Sequence, residues 1–186
     1  MEALAHDAAY VGALHKRGFS KIGGGLYSTV LAKYSEDYVI KVARLDRWPE
    51  YIRWATSQGY AGTFAPKVYG LKYYETFYVA TMERLVCTIE ETKAAIGRDR
   101  NPYHKAHMAV KHWARDYSMD NVPDYPDLEA FIKACYHAGF GDDLHDGNLM
   151  LRKDGQIVLI DPSSNHSDYR FRIKSGKIIE KENSHG

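Results

Sequence analysis

The sequence predicts an α+β protein: a small N-terminal antiparallel sheet lobe with one helix, followed by a small helical C-terminal lobe. Three observations carry this. Strand-like and glycine-rich segments alternate over residues 19–42, the apolar residues of 127–138 recur with a helical period, and an Asp-Gly pair sits between two short apolar runs at 149–160.

In chain order, Phe19-Ser20-Lys21-Ile22, the run Leu26 to Tyr34, and Tyr38-Val39-Ile40-Lys41-Val42 read as three consecutive antiparallel strands, separated by Gly23-Gly24-Gly25 and by Ser35-Glu36-Asp37. Pro49 suits the first position of a helix running to about Gln58, which Gly59 ends. Phe77-Tyr78-Val79-Ala80-Thr81-Met82 is a further strand. From Thr88 the pattern turns helical, with a capped start at Thr88-Ile89-Glu90-Glu91 and a second helix between Pro102 and Tyr117. Pro123 and Pro126 break the chain. Leu128, Phe131, Ile132, Cys135 and Tyr136 then mark one face of an amphipathic helix closed by Gly139. Leu149-Met150-Leu151 and Ile157-Val158-Leu159-Ile160 form a hairpin around Asp154-Gly155, which brings Asn148 and Asp161 to adjacent strand ends. A weaker hairpin, Tyr169 to Ile173 and Lys177 to Ile179, turns at Ser175-Gly176, and the tail from Glu182 is expected to fray. The 186 residues are expected to form one domain, with an N-lobe over about 15–85 and a C-lobe over about 86–186.

Composition narrows the function by exclusion. A formal charge of +1 supplies no basic field for nucleic acid or an anionic membrane. The two cysteines, Cys87 and Cys135, have no companions at metal-ligand spacing and are expected to be buried free thiols in a reducing cytosol. The N-terminus lacks the pattern of a signal peptide, and no apolar run reaches the length of a membrane span, so a soluble cytoplasmic protein is expected. The 15 tyrosines form no repeat and are assigned to packing.

The residues that carry chemistry are Asp143 and Asn148 in Asp143-Leu144-His145-Asp146-Gly147-Asn148, with Asp161 thirteen residues beyond the Asn. An acid, an amide five positions on and a second acid across a hairpin are what phosphoryl transfer from a metal nucleotide needs. Asp143 would accept or orient the acceptor proton, and Asn148 and Asp161 would offer oxygen ligands to Mg2+ bridging the phosphates of ATP. The segment from Ile22 to Val30 keeps side chains away where backbone approaches phosphate; its candidate nucleotide-binding residues are Ile22, Gly23, Gly24, Gly25, Ser28 and Val30. Lys41, flanked by apolar strand residues, is costly to bury unless it is paired or meets phosphate. Asp46 and Glu50 are the acids able to pair with it, and Glu50 is favoured by its place in the helix. Glu83 and Leu85 follow the last sheet-lobe strand, where backbone groups could meet an adenine edge.

With these residues in hand, the chain resembles the protein-kinase-like superfamily, and more closely the early serine/threonine protein kinases of short-tailed, autographivirus-type bacteriophages. The resemblance spans about Phe19 to Ser164. It rests on Gly23 to Ser28 as a Gly-x-Gly-x-x-Ser loop, on Val39-Ile40-Lys41-Val42, on the Asp-x-His-x-Gly-Asn loop from Asp143 to Asn148, and on Asp161-Pro162. It implies a minimal bilobal kinase fold, ATP and Mg2+ as cofactors, and Asp143 and Lys41 as catalytic residues. His145 stands where eukaryotic-type kinases carry a lysine near the transferring phosphate; its role is electrostatic support or a backbone hydrogen bond that holds the loop. It further implies host bacterial proteins as substrates early in infection, RNA polymerase and RNA-processing enzymes among the candidates, in the cytoplasm of the infected cell.

Three departures stand out. Ser28 replaces a third glycine, Gly141 stands where many relatives have a histidine, and Pro162 follows the metal aspartate where protein kinases have Phe-Gly. With 25 residues after Asp161, 162–186, a full activation segment or a large substrate platform is not expected. Two alternatives stay open: a small-molecule phosphotransferase of the aminoglycoside type, whose catalytic loop is similar, and a degenerate kinase fold acting as a binding or inhibitory module.

Overall fold

The computed structural model describes residues 3–25, 27–44, 46–86, 126–141, 143–144, 146–163, 172–174 and 177–179. The expected helices at Thr88 and at 102–117, together with Cys87, His145 and the tail from Glu182, lie outside the described residues. The architecture is α+β, as expected: a five-stranded antiparallel sheet with three α-helices and two two-stranded hairpins among the described residues. The chain forms two compact units. The first comprises residues 1–49, 67–84 and 165–186, and the second comprises 50–66 and 85–164.

The first unit is built on β1 (Ser20–Gly25), β2 (Ser28–Ala32), β3 (Tyr38–Arg44), β4 (Val68–Tyr73) and β5 (Phe77–Glu83), in the order β1-β2-β3-β5-β4. Strand side chains alternate between faces. Leu31, Ile40, Val42, Phe77 and Val79 therefore share one face, where they pack with Leu14 and Phe19 into a buried cluster bordered by Tyr10, Val11, Tyr38 and Tyr74. Each such side chain contributes about 1.5–3 kcal/mol by leaving water. Leu14 comes from helix α1 (Ala3–Lys16), which the sequence reading did not anticipate. Its alanines favour helix without marking an apolar stripe. Strand β4 was also unanticipated: it is an edge strand, largely exposed, with Gly70 beside an irregularity in its register, so it carries no alternating pattern. Strands β8 (Arg172–Lys174) and β9 (Lys177–Ile179) make the expected last hairpin within residues assigned to this unit.

Helix α2 (Trp48–Ser57) begins in the first unit with Trp48 and Pro49, and its remaining residues belong to the second. Within the second unit, Tyr51 and Trp54 of α2 meet Phe140 at 5.9 and 5.6 Å between ring centroids. Phe131 of helix α3 (Pro126–His137) meets Tyr60 at 4.7 Å and Phe64 at 5.5 Å. The helical period of α3 buries Leu128, Phe131, Ile132 and Cys135, but Tyr136 is 43% exposed. Eight positions past Leu128, it sits at the margin of the apolar stripe, where a phenol reaches water. Gly139, with φ +80°, closes α3 as anticipated: Phe140 N–H donates to Cys135 O and Gly139 N–H to Tyr136 O, each at 2.8 Å. Strands β6 (Leu149–Leu151) and β7 (Ile157–Leu159) pair as the expected hairpin, Leu149 opposite Leu159.

Candidate functional site

In the first unit, β1 and β2 form the glycine hairpin, with Gly23 opposite Val30, Gly24 opposite Thr29, and Gly25 opposite Ser28. Gly24 has φ +145°, and a Cβ there would collide with the Ser28 carbonyl oxygen and lie 3.1 Å from Thr29 Cα. Only glycine fits. Ser28, the residue in place of a third glycine, accepts from Gly25 N–H through its Oγ at 3.2 Å and so ties the hairpin across its turn. Ile22 lies where the β1–β2 register shifts and is 52% exposed.

The strand register places Gly23, Val30, Lys41, Ala80 and Leu71 in one row across the sheet. Lys41 alternates with Ile40 and Val42, so it projects from the face opposite the α1 core. It is nonetheless 6% exposed, and its Nζ sits 4.4 Å from the centroid of the Trp48 ring. Of the two acids considered for Lys41, Asp46 belongs to the same unit. Its Oδ1 accepts from Trp48 N–H at 2.9 Å and its Oδ2 from the Tyr78 hydroxyl at 3.4 Å. Glu50 is half-buried in the first turn of α2 and opens the second unit.

Glu83 is buried and clamped to Lys67: its N–H donates to Lys67 O at 2.9 Å, and its Oε1 accepts from Lys67 N–H at 2.7 Å. The Glu83 amide is thus committed within the protein. Arg84 N–H donates to Asp37 O at 3.1 Å. In the second unit Leu85 is buried, and the next amide, that of Val86, donates to Leu151 O at 2.8 Å.

The second unit brings Asp143, Asn148 and Asp161 together through backbone bonds. After α3, Phe140 and Leu144 are buried and pin the loop from either side of Asp143. Asp143 N–H donates to Pro162 O at 3.1 Å, fastening the loop to the residue after Asp161. A 3₁₀ turn over Asp146–Asn148 leads into β6, and Asn148 Nδ2 donates to Asp143 O at 2.9 Å. Ile160 N–H donates to Asn148 O at 2.8 Å, so Asp161 emerges beside Asn148. Gly141 lies against Tyr136: a Cβ would come within 2.9 Å of Tyr136 Cδ2 and 3.2 Å of its Cα, so a histidine there has no room.

Leu159 of the expected hairpin and Tyr51, which the sequence assigns only to packing, hold this arrangement. Leu159 turns both backbone groups away from its hairpin partner, donating to Phe64 O at 2.8 Å and accepting from the Tyr51 hydroxyl at 2.7 Å. Burial first, then the nearby Cys135 and Asp161, raise the Tyr51 phenol well above its ordinary pKa, so it stays a donor. Ser163, two residues beyond Asp161, is buried, and its hydroxyl has no hydrogen-bond partner among the described residues. Tyr51 carries no sequence signal of this role; its partner lies 108 residues away.

The donor set suits a hard cation. Because its amide nitrogen is turned to Asp143 O, Asn148 has its oxygen left to offer, and Asp161 adds a carboxylate.

No protein-family model matches this chain, and no curated protein matches it. Among solved structures it is similar to that of Rad53 1-466 in complex with AMP-PNP, at TM-score 0.48 and 14% identity, covering 80% of this chain and 39% of that one. The chain therefore spans about two fifths of the length of that structure, at 39%. No helix among the described residues is long and apolar enough to cross a membrane.

Proposed function

We propose that this chain is an ATP- and Mg2+-dependent protein kinase that phosphorylates serine or threonine hydroxyls of host bacterial proteins in a phage-infected cell. The observation that supports it most is the hydrogen-bonded set of Asp143, Asn148 and Asp161, in which the amide of Asn148 holds the loop carrying Asp143 while the hairpin delivers Asp161 beside it. Mg-ATP supplies the transferable phosphoryl group and neutralises its charge. The protein's own residues do the rest. Asn148 and Asp161 offer oxygens to the cation, the glycine hairpin and Lys41 offer N–H donors to phosphate, and Asp143 orients the acceptor hydroxyl and takes up its proton. The phage origin and the protein acceptor rest on the resemblance of the motifs around Gly23 to Ser28 and Asp143 to Asn148.

The test is transfer of labelled phosphate from ATP into proteins of a bacterial lysate, with acceptor residues read by mass spectrometry. Wild type is expected to label serine and threonine, and Asp143→Asn to lose about 10²–10⁴-fold in rate. Undiminished labelling by the variant overturns the reading. Phosphorylation of an aminoglycoside in place of any protein moves the acceptor to a small molecule, and Mg-ATP binding without transfer leaves a binding module.

A further inference from the structure

Resting on the reading of Lys41 as a phosphate-binding residue, we propose that Trp48 is its positioning residue: the indole face fixes the ammonium for the nucleotide. A lysine on a strand has four rotatable bonds, and its chain entropy opposes any single placement. Here Lys41 Nζ lies 4.4 Å from the Trp48 ring centroid, a distance at which the ring quadrupole attracts a cation, and both residues are almost wholly buried. The ring is itself held. It stacks on Tyr78 with centroids 5.7 Å apart and planes 4° from parallel. Asp46 ties the pair together, accepting from Trp48 N–H with one oxygen and from the Tyr78 hydroxyl with the other.

Tyr78 lies on β5 opposite Ala43, two residues along β3 from Lys41, so the stack and the lysine stand on the same sheet face. The indole face attracts the ammonium without offering it a hydrogen-bond acceptor. The attraction is weak enough for a phosphate ligand to share.

The experiment compares wild type, Trp48→Phe, Trp48→Leu and Lys41→Met for binding of Mg-ATP and of adenosine, which lacks the phosphates. Removing the indole is expected to weaken Mg-ATP binding by about 3- to 30-fold in Trp48→Leu and less in Trp48→Phe, which keeps an aromatic face. Adenosine affinity should stay as in wild type. The ratio of the two affinities is the readout, since general loosening of the fold lowers both together. An unchanged ratio in Trp48→Leu, with wild type binding Mg-ATP, overturns the role of Trp48 and leaves the kinase reading standing. Absence of Mg-ATP binding by wild type overturns both. If Trp48→Leu does not fold, Trp48→Met decides, since it fills the site without an aromatic face: a lowered ratio supports the proposal, and a wild-type ratio overturns it.

Discussion

The side-chain amide of Asn148 donates to the backbone carbonyl of Asp143 at 2.9 Å, so the residue proposed to offer an oxygen to the cation also closes the loop that carries the proposed base. These two tasks use opposite ends of one planar amide and can be separated by mutation. Asn148→Ala loses both, and phosphoryl transfer should fall at least about 10²-fold. Asn148→Asp restores an oxygen but not the donor, and it sets a second carboxylate near Asp143, whose Oδ2 lies 3.5 Å from the amide nitrogen. Titrating activity with Mg2+ should then show Asn148→Asp saturating with the cation yet transferring slowly. Equal activity of Asn148→Ala and wild type would remove Asn148 from the site.

The glycine hairpin offers an internal comparison. Gly24→Ala places a methyl against the Ser28 carbonyl at a φ that L-residues avoid, whereas a Cβ at Gly23 meets nothing within 4 Å. The strain at Gly24 is about 1–3 kcal/mol, while Gly23→Ala should stay within about 0.5 kcal/mol. Urea unfolding of both variants, read beside Mg-ATP affinity, should show Gly24→Ala alone impaired in both. Equal stability of the two would mean that the hairpin relaxes at no cost.

Tyr51→Phe keeps the ring contact with Phe140 and deletes only the hydroxyl that donates to Leu159 O. The carbonyl left in the interior costs about 1–3 kcal/mol. Because Leu159 lies two residues before Asp161, the Mg2+ concentration for half-maximal activity should rise along with the loss of stability. A stability loss with an unchanged Mg2+ requirement would reduce Tyr51 to a packing residue.

The elements most legible in the sequence are those specified by neighbours in the chain. Asp154-Gly155 announces the β6–β7 hairpin, and with it the register that sets Asp161 beside Asn148. Gly139 announces the end of α3, and the apolar alternation around Lys41 announces a strand. Helix α1 and strand β4 escaped because neither shows the periodicity that burial imposes. Helix α1 lacks a marked apolar stripe, and β4 is a largely exposed edge strand. Supporting contacts were illegible for a different reason. The partner of the Tyr51 hydroxyl is a main-chain carbonyl 108 residues away, and a carbonyl has no residue identity to read. The indole under Lys41 was also hidden, since Trp48 beside Pro49 reads only as the start of a helix. Gly141, a departure from the expected histidine, is brought against Tyr136 by the turn after α3, a contact that no local pattern announces.

Alkaline pH should destabilise the protein through two groups in the second unit. Burial raises the Cys135 thiol far above its ordinary 9.0 and the Tyr51 phenol well above its ordinary 10.0. The native state therefore keeps both protons at pH values where the unfolded chain releases them. With more protons bound in the native state than in the unfolded one, stability falls as pH rises. Their contribution is fully present below about pH 8, and it declines first through Cys135 near 9 and then through Tyr51 near 10, by at most about 1.4 kcal/mol per pH unit for each group. Urea midpoints measured from pH 7 to 11 should fall less steeply between 8 and 10 for Cys135→Ala than for wild type, and identical slopes would mean that the thiol titrates freely. The same burial makes a chemical prediction. In a Cys87→Ser background, a disulfide reagent at pH 8 should find no reactive thiol in the native protein and one after denaturation, because the thiolate that would attack is suppressed and Cys135 is fully buried.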